Sequence, residues 1–470
     1  MEKQKQKQLR VAIVGSGMAG LVTAYLLNQD PRQQYAVTLF EAGKVLSLDS
    51  ASLSVQSPDS KRVDRVDLPM RAFAGGYYHN LRAMYDHLGV LYHAQPFLFD
   101  FSKVNTRDPG SAEKKAGNSY FIHSSNNHRV PPVKPNAIGT TSHLIEIVYL
   151  MLWYTWFSLC CFFVRPYPAN ETQECETIDQ YLKRIRMAPY FVSHYLLPLM
   201  SGVSTCPHET LLAFPASDVL EYKRLTHRAQ HYTVSNGVCS VQNKLVKDVN
   251  ARLAAVVEAI DAEDGVIQVT WRSLDHENDK ELVQERFDRV ILAVSPDIVG
   301  KIFRPLRYEM EPIPTAVVES VIHTDETTLG EPIQEISRGF KRSDAQIIHL
   351  RTSTAESHIT ESVHVQPSGA IVTTCPFSSI DPDRIIQSST FTRVLRNPRS
   401  RRIVNNIFSK HYSAPQSEKE RLGWKNGDGG VWLAGGWCWD GMVLLEGCVV
   451  SAMRVADDFG VPIPWRCGAL

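Results

Sequence analysis

The sequence predicts an α/β fold built around a parallel sheet, and three stretches carry that expectation. Residues 11–41 run strand, glycine-rich turn, helix and strand, and end on an acid. Residues 287–294 (FDRVILAV) have the pattern of a buried strand, and residues 431–436 (VWLAGG) repeat it and again end in glycine. Short continuous apolar runs of this kind mark strands covered on both faces, as in a parallel sheet flanked by helices. The longer, more polar segments between them are where further structure is inserted.

Within the first stretch, residues 11–14 lead into Gly15-x-Gly17-x-x-Gly20, which opens an apolar helix, and residues 37–40 lead to Glu41. Each piece has a physical task in a Rossmann-type site. Gly15 allows the tight turn, Gly17 lets the backbone approach a pyrophosphate, and Gly20 lets the helix pack closely on the strand. The helix N-terminus offers free N–H groups and partial positive charge to phosphates. The backbone of Gly15, Ser16, Gly17, Met18, Ala19 and Gly20 is therefore expected to line the pyrophosphate. Glu41, about 20 residues beyond Gly20, accepts from ribose hydroxyls, with Ala42 beside it. An acid at that place disfavours a 2′-phosphate, so FAD or NAD is expected rather than NADP. A glycine-rich turn alone would be weak evidence; here strand, helix, second strand and acid all stand in order.

Lys plus Arg and Asp plus Glu are both 50, for a net charge of zero, which gives no electrostatic footprint for nucleic acid. The 9 cysteines form no CxxC pair and no zinc-type spacing, which fits a reducing compartment. The polar start, MEKQKQKQL, leads directly into the first strand, so a cytoplasmic location is expected. His227 and His231 have i, i+4 spacing but no third ligand, and no metal is expected.

Residues 102–142 are rich in Ser, Asn, Pro, Gly and Lys and read as a long surface excursion outside the core. Residues 147–164 (IVYLMLWYTWFSLCCFFV) then run 18 residues without a charge, the lower edge for a membrane span. A single crossing would put two halves of one fold on opposite sides. The segment is therefore expected to be a buried helix or the wall of an apolar substrate cavity, with a peripheral segment dipping into a membrane face as the alternative. Thr177-Ile178-Asp179-Gln180 has capping-box spacing and should start a helix through Arg186. Residues 191–200 suggest another helix, kinked or ended by Pro198. Residues 252–260 and 264–273 read as paired strands around a turn at Asp264-Gly265. Residues 315–323 and 369–374 read as strands, and Arg396, Arg399, Arg401 and Arg402 as a solvated basic patch.

Near the C-terminus, Val431-Trp432-Leu433-Ala434-Gly435-Gly436 is followed by Leu445-Glu446-Gly447-Cys448-Val449-Val450-Ser451-Ala452. This pair resembles the C-terminal flavin-binding segment of the flavin amine oxidase and phytoene desaturase superfamily. Residues 65–67 with AFAGGYYHNLRAMYDHLGV, residues 214–237 and residues 287–296 follow the order of its predicted NAD/FAD-binding bacterial and fungal members. The resemblance implies a Rossmann-type FAD-binding domain with an inserted α+β substrate-binding domain. The FAD-binding parts would be 9–90, 211–310 and 425–470, and the substrate parts 91–210, with the apolar segment 147–164, and 311–424. It further implies that Val257 lies beside the adenine, and that Gly435, Gly436, Leu445 and Glu446 close the site at the pyrimidine end of the flavin. A helix dipole there stabilises the negative charge of a reduced ring.

Two departures from the family pattern matter. The double glycine that usually follows the ribose-binding acid is replaced by Ala42-Gly43-Lys44. Val443, Leu444 and Leu445 stand where amine oxidases place a cage aromatic, which points away from a simple amine. Trp437, Cys438, Trp439 and Asp440 follow the Gly435-Gly436 turn; Trp437, Trp439 and Asp440 are the candidates for catalysis, and loop packing is the plainer alternative. Tyr77, Tyr78 and His79 are candidates for the pocket wall. No cysteine stands at the position used for covalent flavin in monoamine oxidases; Cys438 lies close to the flavin in sequence terms, but a covalent link is not expected. Only one nucleotide fingerprint is present. The sequence therefore points to an FAD-dependent oxidoreductase that takes a hydride from a hydrophobic small molecule, lipid-like, polyketide or terpenoid, by oxidation, desaturation or isomerisation. The alternatives are a true amine oxidase and a non-catalytic binding module of GDP-dissociation-inhibitor type. Oligomeric state is not legible.

Overall fold

The computed structural model describes residues 8–50, 52–56, 63–69, 71–104, 118–124, 132–170, 174–263, 265–274, 281–329, 345–354, 358–409 and 423–466. A five-stranded sheet organises the first layer. Strand β1 (Leu9–Val14) pairs in parallel with β2 (Tyr35–Phe40) on one side and with Arg289–Leu292 on the other. Asn250–Arg252 and Val431–Leu433 extend it in parallel at the two edges. The alternation of side chains divides the core in two. Val11 and Ile13 face the layer formed by helix α1 (Met18–Asn28) and the C-terminal helix Leu445–Asp458. Ala12 and Val14 face an antiparallel meander of Ala255–Glu263, Val266–Ser273 and Val283–Phe287. All four residues are buried, so the apolar run reflects burial on both faces.

Two expected strands are each divided by the structure. Residues 252–260 were read as one strand, but Ala254 takes a left-handed conformation (φ 50°). Asn250–Arg252 belongs to the parallel sheet, and the meander starts only at Ala255. Residues 287–294 also break. Phe287 closes the meander against Ile267, Asp288 takes the Arg10 N–H on its carboxylate at 2.7 Å, and Arg289–Leu292 continues in the parallel sheet. Asp264 of the predicted turn lies outside the described residues, while Gly265 has φ 77°.

A seven-stranded mixed sheet forms the second layer, in the order Ile385–Val394, Thr315–His323, Ile371–Thr374, Thr360–Val365, Gln346–Ser353, Phe97–Val104 and Asn118–Ser124. It corrects the expectation of an excursion at 102–142. Phe97–Val104 and Asn118–Ser124 pair antiparallel, Phe121 and Ile122 are buried, and a long helix begins at Thr140. The rest of that excursion, 105–117 and 125–131, lies outside the described residues, as do 330–344 and 410–422 of the polar loops.

Thr177 caps Ile178–Arg184 through the predicted box with Gln180. Around Pro198 the chain stays helical from Pro189 to Ser204, with a π turn over Val192–Leu196. Proline has no N–H to give the carbonyl four residues back, and the Tyr120 hydroxyl donates to that His194 oxygen instead, at 2.5 Å. The missing donor is replaced from a neighbouring strand, so the helix does not end.

The seven-stranded sheet buries several imidazoles. His323 Nδ1 accepts the Asp325 N–H at 3.2 Å and its Nε2 faces Thr373 Oγ1 at 2.8 Å, an arrangement that needs the neutral ring. Burial pushes His323 and His208 down to about 4 and His364 to about 3. An unfolded histidine titrates near 6.5. Between those values the unfolded chain binds protons that the folded chain refuses, so stability falls as pH drops. The urea midpoint should be level above about pH 7 and fall steadily from about pH 6.5 to 4. A midpoint constant across that window would show that these rings carry no linkage.

A candidate dinucleotide site at the carboxyl ends of the parallel strands

In open α/β sheets, ligands sit beyond the carboxyl ends of the strands where the strand order reverses. Here that point is the end of β1, whose neighbours run off in opposite directions. The loop there leaves β1 at Gly15 (φ 101°), whose N–H donates to Phe40 O at 2.8 Å. A Cβ on Gly15 would stand 2.7 Å from Ala293 O, and one on Gly20 would stand 1.9 Å from Gly15 O. Both glycines are required by the fold itself. Gly17 is different: a Cβ there would meet nothing within 4 Å, so packing does not explain it. It opens a cradle in front of α1, whose N-terminus no side chain caps. Met18 and Ala19 turn their side chains into the core, leaving their backbone for a ligand.

Glu41 stands at the end of β2, as the sequence suggested, with partners the sequence did not reveal. Its Oε2 accepts from Ser16 N at 3.0 Å and Ser16 Oγ at 2.5 Å, and its Oε1 accepts from Gly43 N at 2.8 Å. The carboxylate thereby ties the loop to β2, and its four lone-pair sites leave capacity for hydroxyl donors. Ala42 beside it is exposed. The Glu41 N–H donates to Arg252 O at 2.9 Å and Glu41 O accepts from Ala255 N at 2.8 Å. Those bonds bring the start of Ala255–Glu263 to the acid. The strand bulges between Val257 and Ala259, a device that re-aims backbone groups.

The C-terminal motif meets the N-terminal one at Cys448. Ala434 N donates to Leu292 O at 3.0 Å and Gly435 N to Ser451 Oγ at 2.9 Å, fixing the Gly435-Gly436 turn beside Ala293. The Cys448 sulfur has backbone partners at Gly436 and Ala19, and burial pushes its thiol up to about 11. The Glu446 side chain has a structural partner that the sequence did not reveal. Its carboxylate accepts from Asn80 N at 2.9 Å, Asn80 Nδ2 at 2.7 Å and Leu81 N at 3.0 Å. It thus caps His79–Leu88, a helix with no side-chain cap of its own, and what Glu446 offers a ligand is its backbone. Leu445 is half-buried ahead of it.

The loop after the double glycine is held rigid. Trp437 is buried, with its Nε1 donating to Val294 O at 3.2 Å, and Cys438 is fully buried. These two pack; they do not wall an open cavity. Asp440 is 62% exposed and stands 3.9 Å from Arg401. Trp439 is half-buried, its Nε1 donating to Met442 O at 3.1 Å, and its indole lies against Gly447 in the first turn of the C-terminal helix. Its ring also meets Tyr77 edge-on at 5.9 Å, and Tyr77 meets Tyr222 at 4.8 Å and Tyr78 at 5.2 Å. The sequence named Tyr77, Tyr78 and Trp439 separately. It gave no signal for Tyr222, which joins them from Ala216–Leu225.

The basic patch is corrected most. Arg396 is 2% exposed and donates to Trp437 O and Trp439 O, each at 2.8 Å; burial lowers its guanidinium to about 10. Arg454 donates to Cys438 O at 2.9 Å from the C-terminal helix. Arg401 pairs with the buried Asp218 carboxylate, whose other oxygen stands 3.9 Å from Arg396. Arg399 is exposed and Arg402 is half-exposed beside Glu174. Half of the patch is therefore structural. His227 and His231 share no helix face: His227 packs edge-on against Phe162 at 5.4 Å, and His231 lies in the strand His231–Val234.

A family model described as an NAD(P)-binding Rossmann-like domain matches residues 13–88. The chain carries a Rossmann-like dinucleotide-binding domain. Its fold is similar to that of cyclohexylamine oxidase from Brevibacterium oxydans IH-35A, with a TM-score of 0.55 over 97% of this chain and 100% of that chain, at 12% identity. This is the amine oxidase-like architecture. No curated protein matches the sequence. The fold recurs in 654 solved chains, so it selects no substrate by itself.

Replacing Arg396 by leucine strands two buried carbonyls, at about 1–3 kcal/mol each. Urea unfolding of Arg396→Leu should show a loss of about 2–6 kcal/mol, whereas Arg402→Ala at the surface should stay within about 0.5 kcal/mol of the parent. Equal effects would mean that the loop is not held by Arg396.

Proposed function

We propose that the chain is an FAD-dependent oxidoreductase acting on a hydrophobic small molecule. The observation that carries this is the cradle at Gly17, open to a ligand, in a loop that the C-terminal Gly435-Gly436 turn adjoins through Cys448. The backbone of residues 15–20 would hold the pyrophosphate, Glu41 the ribose hydroxyls, and the bulged strand at Val257 the adenine. The first-turn N–H groups of Leu445 and Glu446 would face the other end. When bound, FAD supplies a two-electron acceptor for a hydride. The protein's own contribution is positioning: the C-terminal helix directs its positive end at developing negative charge, and Arg396 and Arg454 hold the adjoining loop. Tyr77, Tyr78, Tyr222 and Trp439 exclude water on the side where a substrate would stand.

The substrate class that best fits these apolar and aromatic surroundings is a lipid-like, polyketide or terpenoid compound. A second reading, amine oxidation, is favoured by one observation. Val443, Leu444 and Leu445 provide no cage aromatic, yet Tyr77, Tyr222 and Trp439 gather aromatic rings by another route, and ring faces attract a cationic amine.

The test starts from the visible spectrum of purified protein, expected to show bound flavin. Gly17 has φ −63°, a value open to any residue, and room for a side chain. Gly17→Val should therefore fold normally and lose the flavin. Flavin retained by that variant would remove this loop from the site. A parent protein that neither carries nor takes up FAD would favour the binding-module reading. Anaerobic bleaching by terpenoid or lipid-like alkenes, and not by primary amines, supports the first substrate class; the reverse supports the second.

A further inference from the structure

The helix Thr140–Phe163 is long and apolar, and it is not a core helix. An 18-residue window of it has a mean hydropathy of 1.6, yet only 22% of that window is buried, which overturns the expectation of a buried helix. Leu150, Phe157, Cys160 and Cys161 face the protein. On the other side Leu144, Val148, Leu152, Trp156, Leu159 and Phe163 are 46% to 79% exposed, with Ile145 and Met151 beside them. They recur at three- and four-residue intervals, so they form one continuous stripe along a helix about 36 Å long. The helix carries one charged residue, Glu146, and its carboxylate is engaged by the Tyr195 hydroxyl. Monomeric soluble proteins rarely leave such a stripe in water.

The helix cannot cross a bilayer as it stands. Trp156 Nε1 donates to Ile185 O at 3.0 Å near its middle, and the Tyr181 hydroxyl donates to Cys160 O at 2.9 Å and Val164 O at 3.0 Å at its end. Bound along its length to the globular body, it can only lie flat. Its flanks carry cations: Lys134 before it, Arg165 after it, Arg186 beside its middle, and Arg224 near Cys161. The nearby acids Glu176 and Asp179 are paired with Arg184 and Lys183. A second copy docked on this stripe would set cations against cations, whereas an anionic lipid surface complements them. Trp153 and Trp156 with Leu152 and Ile185 also wall a shallow hollow of about 410 Å³, with Arg186 at its rim. An apolar hollow with one guanidinium at its edge fits a lipid phosphate above its acyl chains.

We propose that Thr140–Phe163 docks the protein in-plane on an anionic phospholipid bilayer, with Arg186 reading a headgroup phosphate. The stripe would sink to the acyl boundary while the basic flanks stay among the headgroups, and the helix aromatics suit that depth. This inference is independent of the cofactor.

The test is flotation of the full chain with vesicles of phosphatidylcholine, alone or mixed with phosphatidylglycerol. The parent should float with the mixed vesicles, and less so in high salt, which screens the basic flank. Met151→Glu/Leu152→Glu, at side chains 58% and 66% exposed, should lose roughly a hundredfold or more in partition with an unchanged circular dichroism spectrum. Leu144→Ser/Ile145→Ser should move the same way, and serves alone if the first pair does not fold. Arg186→Gln should cost about fivefold on mixed vesicles and little on neutral ones. A parent that floats with neither vesicle overturns the proposal. So does a dimer, seen by ultracentrifugation, that the Met151/Leu152 variant abolishes without any lipid binding, since the stripe would then be an interface between copies. Flavin content plays no part in either readout, so this proposal and the proposed chemistry can fail separately.

Discussion

Helix α1 can lie against the parallel sheet only because residue 20 has no side chain; a Cβ there would sit 1.9 Å from the carbonyl oxygen of Gly15. That close approach aims the helix N-terminus at the end of β1. It also lowers α1 enough for Leu445–Asp458 to pack beside it in the same layer, where the Cys448 sulfur meets the backbone of Ala19 and Gly436. A larger residue at 20 would lift α1, and the contact between the two ends of the chain would open with it. One small residue thus holds together segments more than four hundred positions apart in sequence. The openness at Gly17 is the complementary fact: the protein needs Gly15 and Gly20 for itself, and Gly17 is the glycine of the three that packing does not require.

The second constraint is the pair of arginines around the 437–440 loop. A loop that turns out of a double glycine has no intrinsic reason to keep one shape, because glycine imposes few limits. Its carbonyls at 437, 438 and 439 are taken by Arg396 and Arg454, one from the end of the seven-stranded sheet and one from the C-terminal helix. The loop therefore reports on the relation between the two layers. Burying the Arg396 guanidinium is costly on its own; two carbonyl acceptors and the Asp218 carboxylate at 3.9 Å offset that cost.

What the sequence revealed follows from the range of the interactions. The glycine spacing, the Glu41 acid and the Thr177 capping box are local patterns, and their geometry is dictated within a turn or two of chain. Arg396 was misread, and the capping role of the Glu446 side chain went unseen, because their partners are distant. Nothing near Arg396 in sequence announces that two carbonyls some forty residues later will need donors, and Glu446 caps a helix 366 residues earlier. The divided strands at Ala254 and Asp288 failed for another reason: a buried apolar run looks the same whether it stays in one sheet or passes from one to the next. The 147–164 run was visible as apolar, but its orientation was not. With no charged residue on either side, the pattern has no polar face to turn outward, and such a helix is ordinarily buried.

The apolar helix and the aromatic group beside the C-terminal helix are joined by a single element. Ala216–Leu225 packs on Thr140–Phe163, and its Tyr222 ring lies 4.8 Å from Tyr77. A substrate with little solubility in water concentrates in a bilayer, and its approach to a protein is then governed by where that protein touches the bilayer. If the stripe docks as proposed, the helix carrying Tyr222 stands one layer behind the membrane face, and the aromatic rings stand one side chain further in. The proposed substrate class and the proposed surface are then coupled through geometry: the same burial of apolar area that would draw the protein to lipid would also draw the substrate there. A short, water-soluble amine gains no apolar burial there, whereas one with a large apolar body would be drawn to an anionic bilayer by its charge as well. The location of the stripe thus argues, separately from the site itself, for a substrate with a large apolar body, whether or not that body carries an amine.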